Sequence, residues 1–336
     1  MQRRDLLLLS LAAMLAAAYP ADAAGDTADL RLRIAPNESL RYAWTVAATS
    51  ESKGIEKGRP FTLNTEVSYT LTLLLRGLPP KRDGAAPPAP GQEGARVALR
   101  IQDLTYLDKR TIADSKAEVS VSKGHVKCTE NGKVIVDSDN DIGLEQMPDY
   151  LRPIRNIGNA EVRLTLDSAG RQSQPEGDAG LTELLDAIRA GGAEGFYPIP
   201  ILAGRTAKVG ESWESSYSLP KLGEFRLAKP AVIRPKMTFS KWVAQAGKDL
   251  AQIEVATVLE TRELKGENDS RLLVEFTQYD RRGAGTFLLD PATGRFVEGA
   301  LETTSKYHID GEREGQTVGL DVAGKTRFTF AALPEK

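Results

Sequence analysis

The chain has 336 residues, of which 44 are Lys or Arg and 46 are Asp or Glu, giving a formal net charge of −2 at neutral pH. This balance gives no electrostatic basis for binding nucleic acid or an anionic membrane surface, so we expect neither as a partner. The single cysteine, Cys128, excludes an intramolecular disulfide, so packing must provide the stability. Because Cys128 lies in a predicted strand, we expect a small buried apolar group rather than a nucleophile.

The N-terminus has the three parts of a secretory signal peptide. Arg3 and Arg4 precede an apolar run over residues 6–18, and Ala21-Asp22-Ala23 then supplies the small-x-small pattern read by signal peptidase. The run is well short of the roughly 20 residues needed to span a bilayer. We therefore predict a cleaved signal peptide at 1–23 and a periplasmic or extracellular mature protein without a membrane span. The two arginines leave both general secretion and twin-arginine export open.

Strand signals dominate the mature chain. Between Phe61 and Leu75 the odd positions are mostly apolar and the even positions mostly polar, which indicates a long strand with one buried face. The same alternation recurs at 97–101, 162–166, 253–259, 272–276, 301–309 and 318–330. Asp310-Gly311 is a hairpin-turn signal between two of these runs. Clean alternation favours antiparallel pairing, and such long strands favour a strongly curved sheet.

Helix signals are few. Residues 178–190 place Leu181, Leu184, Leu185 and Ile188 on one stripe, with Asp178 able to cap the start, so we predict an amphipathic helix there. A second short helix is predicted near Met147–Arg152, ended by Pro153. Residues 77–94 contain five prolines and little to bury, so we predict a disordered loop joining two strands.

The chain divides near a proline-containing connector at 195–201. We predict an N-terminal β-rich half at 24–195 and a C-terminal one at 196–336. Short segments recur in the same order in both halves, with Trp44 matching Trp213 and Asp167–Arg171 matching Asp290–Arg295. In the second pair we expect Asp to open a tight turn and Gly to take positive φ. The predicted fold is mainly β (α+β), with two related halves of long, curved antiparallel sheet and one clear helix.

These segments also carry a resemblance. The run Val209–Trp213, followed by Phe287–Asp290 and Gly294-Arg295, resembles a group of bacterial exported β-rich proteins of unknown function. More loosely, the long curved strands with a small helical element resemble the half-barrel of periplasmic lipoprotein carriers. Neither resemblance implies a catalytic residue.

The sequence offers no convincing catalytic, cofactor or metal site. His125 and His308 lie in predicted strands without catalytic neighbours in the sequence. Asp137–Asp141 has alternating oxygens that suit calcium, but Ile142 and Pro148 stand where an EF-hand loop needs Gly and Glu. A polar turn closing the preceding strand is favoured, and a looser calcium loop is left open.

We therefore expect a non-enzymatic envelope protein that binds an apolar or amphipathic ligand, such as lipid, or another envelope protein in the concavity of its sheets. The alternative is a structural or interaction scaffold whose halves pack on each other, and a hydrolase is a third reading. The residues predicted to line the groove are Trp44, Leu63, Val67, Tyr69, Leu71, Trp213, Ile253 and Val255.

Overall fold

The computed structural model describes residues 25–56, 59–79, 94–147, 151, 160–171, 176–179, 181–182, 200–222, 225–259, 264–267, 272–313 and 316–334. The predicted signal peptide at 1–23 and most of the predicted loop at 77–94 lie outside these ranges. Within them, no helix has the length and apolar character to cross a membrane. The strands of the described part are β1 Thr27–Leu30, β2 Ser39–Glu56, β3 Arg59–Gly77, β4 Ala95–Ile112, β5 Ser115–Ser122, β6 His125–Glu130, β7 Lys133–Asp137, β8 Val162–Leu166, β9 Glu176–Gly177, β10 Arg205–Lys208, β11 Ser212–Glu214, β12 Tyr217–Leu222, β13 Phe225–Gln245, β14 Lys248–Leu259, β15 Leu264–Glu267, β16 Leu273–Asp290, β17 Arg295–Arg313 and β18 Gln316–Ala332.

Sixteen of these strands form one antiparallel sheet, so the mainly β prediction is confirmed. The order along the sheet is β11-β13-β14-β16-β17-β18-β2-β3-β4-β5-β6-β7, and β1 with β10 forms a separate two-stranded sheet. β15 lies between β13 and β16, in line with β14, and so extends the position of β14. β18 pairs with β2 and joins the strands of both predicted halves into one sheet.

The predicted strand at Phe61–Leu75 is confirmed within β3. Leu71, Leu73 and Leu75 are each 1% exposed, whereas Leu63 and Val67 on the same face are only partly buried. The predicted hairpin at Asp310-Gly311 is wrong, because both residues lie inside β17 and pair with β16 and β18. Gly311 lies in an ordinary strand position where an added Cβ would come 3.3 Å from Leu272.

The helix predictions fare differently. For 178–190, the N–H of Leu181 donates to the Asp178 carboxylate at 2.7 Å, which is N-cap geometry. Residues 183–190 lie outside the described part of the chain. The residues that are described contain no complete α-helix. The rest of that helix stays a prediction. The helix predicted from Met147 is wrong at its start. A single 3₁₀ turn at Leu144–Gln146 precedes it, and Met147 is already extended at ψ 126°.

The two Asp-to-Arg segments form the predicted turns. The Asp167 carboxylate accepts from the N–H groups of Ala169 and Arg171, at 2.9 and 2.8 Å. The Asp290 carboxylate accepts from the N–H groups two and three residues on, at 3.0 and 3.3 Å. Gly170 and Gly294 have φ of 83° and 67°. The turn prediction is confirmed, while a duplication of the chain stays a prediction.

The large sheet has an inner face that carries two apolar clusters and an outer face that carries most of the charges. The first core lies where the β13–β14 and β16–β17 turns are, and β1, β8 and β10 pack against it. Its largest sheet residues include Trp44, Leu71, Phe239, Ile253, Phe287 and Phe330. The second core lies toward the opposite strand ends and includes Leu227, Ile233, Phe276, Ile309 and Val322.

Candidate functional site: a transverse trough on the inner face

Between the two cores, a row of small and hydroxyl side chains crosses the inner face. Ala48 on β2 pairs with Val67 on β3 and with Thr326 on β18. Thr326 pairs with Thr303 on β17, which pairs with Gly283 on β16. Directly opposite residues on one face lie about 5 Å apart, so these five form a continuous line across five strands.

A second row runs beside the first, two residues further along each strand. It leads from Thr65 through Ser50, Gly324 and Ser305 to Arg281. We call the two rows together the transverse trough, with a floor made of Val67, Ala48, Thr326, Thr303, Gly283, Thr65, Ser50, Gly324 and Ser305.

Most side chains on either side of the trough are larger than those of its floor. On the first-core side the wall residues Val46, Leu301 and Phe328 are 3–5% exposed. The second-core wall is formed by Leu63, Val322 and Tyr307. Most of the floor, including Ala48, Ser50, Gly324, Thr326 and Ser305, is partly exposed. From β16 to β4 the trough crosses five strand spacings, or about 24 Å.

The β4 end of the trough holds a buried carboxylate with its own cation. Asp108 is 2% exposed and pairs in register with Val67. The Arg110 guanidinium donates to Asp108 Oδ2 from Nη2 at 2.8 Å and from Nε at 3.2 Å, and the Tyr106 hydroxyl donates at 3.3 Å. These contacts neutralise the Asp108 charge locally.

The β16 end holds a buried cation and an unpartnered hydroxyl. Arg281 is 7% exposed, and Thr257, the register partner of Gly283, is 2% exposed. Thr257 Oγ1 has no hydrogen-bond partner, and a Cβ added to Gly283 would come within 2.4 Å of it. Glycine at this position therefore lets the Thr257 side chain fold over the β16 backbone.

Two tyrosines close the β16 end toward the second core. The rings of Tyr279 and Tyr307 stack with centroids 5.3 Å apart and planes at 17°. Burial, with a smaller contribution from Tyr279, raises the pKa of Tyr307 to about 12, and the positive charge of Arg281 opposes that rise. Arg281 therefore lies close enough to Tyr307 for its positive charge to act on the pKa of the Tyr307 hydroxyl.

All eight residues predicted to line a groove lie on the inner face, but the structure separates them into three places. Trp44, Leu71, Ile253 and Val255 are no more than 6% exposed and belong to the first core. Leu63 and Tyr69 are partly buried beside the trough, and the partly buried Val67 belongs to its floor. Trp213 lies at the sheet edge, where its Nε1 donates to the Ile201 carbonyl at 2.8 Å.

Sequence reasoning missed Arg281 and Thr257. An arginine in an alternating strand is ordinarily solvated, and Thr257 was recognised only as one position of a strand. Their proximity depends on the register of β14, β16 and β17, which no local signal in the sequence supplies.

Each histidine is held by two carboxylates. His125 Nε2 lies 3.0 Å from Asp137 Oδ1 and its Nδ1 lies 3.2 Å from Asp139 Oδ2. His308 Nδ1 lies 2.7 Å from Asp321 Oδ1 and its Nε2 lies 3.1 Å from Asp310 Oδ1. Since both ring nitrogens are engaged in each case, neither imidazole is placed to take a proton from a nucleophile.

The acidic segment at Asp137–Asp141 forms the polar turn predicted to close β7. The side-chain hydrogen bond from Asn140, followed by those from His125 and the backbone N–H groups of Asp139 and Asn140, lowers the pKa of Asp137 to about 2 despite its partial burial. In the described part of the chain, no group of three or more His, Cys, Asp or Glu residues is arranged to hold a metal ion.

Cys128 lies on β6 as predicted, partly buried, and burial raises its pKa.

A separate cavity of about 630 Å³ lies on the outer face. Three alanines contribute to its lining, and the charged residues Lys236, Glu254, Glu302 and Arg327 border it. Such charged walls suit water better than an acyl chain.

Compared with known proteins, the chain matches no family profile and no curated sequence. Among solved structures, lipovitellin, in a study of its lipid–protein interactions, is 10% identical over 90% of this chain and 26% of that chain, with a TM-score of 0.45. The chain therefore spans about a quarter of the lipovitellin chain. An outer-membrane channel from Pseudomonas putida F1 is 8% identical over 94% of this chain and 100% of that one, with a TM-score of 0.22. OccK7 from Pseudomonas aeruginosa is 7% identical over 89% and 100%, with a TM-score of 0.21. Similarity at this level carries no argument about function.

Proposed function

We propose that this protein binds an amphipathic ligand in the transverse trough and has no catalytic role. The observation that carries the proposal is the partly exposed floor of small side chains between two buried apolar cores on one face. A sheet that only packed on itself would fill this line with large side chains, as it does on both sides. Groups such as Ala48 and Gly324 leave room for a chain lying across the strands.

The apolar contacts of such a ligand would come from the β3 side of the trough, both from its wall and from the floor residue Val67. Leu63, Val67 and Tyr69 offer partly exposed apolar surface at the β3 side of the trough. Burying apolar surface is worth about 25 cal/mol per Å², so a chain lying against these walls gains affinity chiefly from the area it removes from water. The polar groups at both ends suit an amphipathic molecule better than a pure hydrocarbon.

Filling the trough with a large side chain tests whether a ligand binds there. Ala48→Phe places a large side chain on the floor, while Ala47→Phe places the same side chain on the exposed outer face of the same strand. Protein purified without detergent is extracted with organic solvent and analysed by mass spectrometry. We expect wild type and Ala47→Phe to carry an apolar molecule. Ala48→Phe should carry at least about tenfold less of it, because the ligand no longer fits in the trough.

The second candidate is a scaffold without a ligand, favoured by the near-complete burial of Trp44, Leu71 and Ile253. It predicts an empty wild-type protein and strong destabilisation by Ala48→Phe. Equal ligand retention by Ala47→Phe and Ala48→Phe would also contradict ligand binding in the trough.

We further propose export to the periplasm or the cell exterior, supported by the N-terminal pattern at residues 1–23. Intact-mass measurement on protein from the native host should give a chain beginning at Ala24. A cytoplasmic species that retains Met1 would refute this proposal and leave the trough untouched.

A further inference from the structure

We infer that a notch above Gly324, on the floor of the trough, binds the uncharged head group of a single-chain amphiphile. The inference rests on the proposed function and specifies the chemistry of its ligand. The head group carries hydroxyl and ester oxygens, as in a monoacylglycerol, and the acyl chain extends from the notch toward β3.

The sheet register places a serine on each side of the notch. Gly324 pairs with Ser305 on β17 and with Ser50 on β2, so the three residues lie in one line across the inner face. A Cβ added to Gly324 would come 3.2 Å from Ser305 Oγ and 3.6 Å from Ser50 Cβ. Because Gly324 has no side chain, a space flanked by two hydroxyl-bearing residues is left between them.

Both serines are placed to contact a ligand in this space. Each is partly exposed. Among the described residues, neither serine side chain has a hydrogen-bond partner. Thr326, two residues from Gly324 on the same face of β18, is also partly exposed. A hydroxyl group both donates and accepts, so these side chains match the hydroxyl and ester oxygens of an uncharged head group.

The charged groups near the trough favour an uncharged ligand, because they already interact within the protein. At the β4 end, Arg110 Nη2 lies 2.8 Å from Asp108 Oδ2. Arg281, the register partner of Ser305, also has an interaction within the chain. An ionic head group moved from water onto the serine hydroxyls would lose hydration without gaining a counter-charge, which is costly.

The direction of the acyl chain follows from what lies on each side of the notch. Toward β16 the second row of the floor ends at Arg281, beside the stacked rings of Tyr279 and Tyr307. Toward β3, two strand spacings or about 10 Å away, Leu63 and Val67 offer partly exposed apolar surface. An acyl chain of about 15 Å, half the thickness of a bilayer hydrocarbon core, covers that distance.

The experiment compares two ligands that share one acyl chain and differ in the head group. Monopalmitoylglycerol and palmitate, both below their micellar concentrations, compete with a fluorescent apolar probe bound to the full-length mature protein. We expect the monoacylglycerol to bind at least about tenfold more tightly than palmitate.

Serine variants test the position of the head group. Ser50→Ala and Ser305→Ala should each weaken the monoacylglycerol severalfold and leave palmitate unchanged, because each removes one hydrogen-bonding group. Gly324→Ala, which places a methyl group in the notch, should weaken the monoacylglycerol at least about tenfold. Ser68→Ala, the same serine change on the exposed outer face of β3, should alter neither affinity.

Each other outcome is decisive. Palmitate binding as tightly as the monoacylglycerol would overturn the uncharged head group and leave the proposed function standing. Binding of neither ligand would overturn the proposed function itself. A monoacylglycerol affinity that both serine variants leave unchanged would refute the notch as the head-group site. Should Gly324→Ala fail to fold, the wild-type comparison and the serine variants still decide the question.

Discussion

Truncating Leu71 separates core packing from ligand contact on the inner face. Leu71 is 1% exposed and lies between its register partners Trp44 and Leu104 in the first core. Leu→Ala at such a site costs the transfer free energy and leaves a cavity, so we expect a loss of about 3 kcal/mol. Leu63 lies on the same face of the same strand but borders the trough and is only partly buried. Its truncation should cost about 1 kcal/mol.

Urea unfolding monitored by tryptophan fluorescence measures the difference. Trp44 is a suitable reporter, because its ring meets that of Phe328 edge to face at 5.0 Å in the same core. With a slope of about 3 kcal/mol/M for a sheet of this size, Leu71→Ala should lower the midpoint by about 1 M and Leu63→Ala by about 0.3 M. Leu71→Ala should still retain ligand, whereas Leu63→Ala should retain less. A Leu71→Ala midpoint within 0.3 M of wild type, taken as about 1 kcal/mol, would show that this face is open and refute the two-core description.

Two further predictions concern pH. Burial would raise the pKa of Asp290, but Lys248 at 2.9 Å and the turn N–H groups outweigh it and lower that pKa, so the stability it contributes is present above the ordinary carboxyl pKa and lost as pH falls through the folded value. Asp290→Asn should cost about 1 kcal/mol at neutral pH and flatten the acid limb of the stability profile, and an unchanged acid limb would contradict the role of the pair. The hydrogen bond to Asp321 raises the pKa of His308, and Asp310 adds to that rise while burial opposes it. The stability that His308 contributes is therefore full below the ordinary histidine pKa and is lost as pH rises through the folded value. His308→Gln should remove a decline in melting temperature above the ordinary histidine pKa of about 6.5, and a decline that persists in the variant would assign it to another group.

The faces of the strands could be predicted from the sequence, but their positions relative to each other could not. Alternation placed Leu63, Val67 and Leu71 on one face of β3, and they lie on one face. It did not reveal that Leu71 is closed off while Leu63 borders a trough, because that depends on which residues of β2 and β4 lie opposite. Local turn chemistry was informative at Asp290, where the carboxylate caps its own turn. It failed at Asp310-Gly311, because a dipeptide common in hairpins here lies within a paired strand.

The trough itself had no sequence signature. Its floor combines one or two residues from each of β2, β3, β16, β17 and β18, and each alone is an ordinary residue in an alternating strand. Only the register aligns Ala48, Thr326 and Thr303 into one row. Arg281 was overlooked for the same reason, since a strand arginine gives no sign of being buried until its neighbours on adjacent strands are known.

The pairing of β18 with β2 has a consequence for how the protein is made. The two strands share thirteen residue pairs near the middle of the sheet, yet about 260 residues separate them along the chain. β2 emerges from a ribosome or translocon long before β18 does. Until β18 arrives, the backbone N–H and C=O groups along one edge of β2 have no strand partner. During that interval a nascent chain is a template for pairing with its neighbours. Keeping such a half-assembled sheet from aggregating is a demand on whatever accompanies the chain during synthesis and delivery.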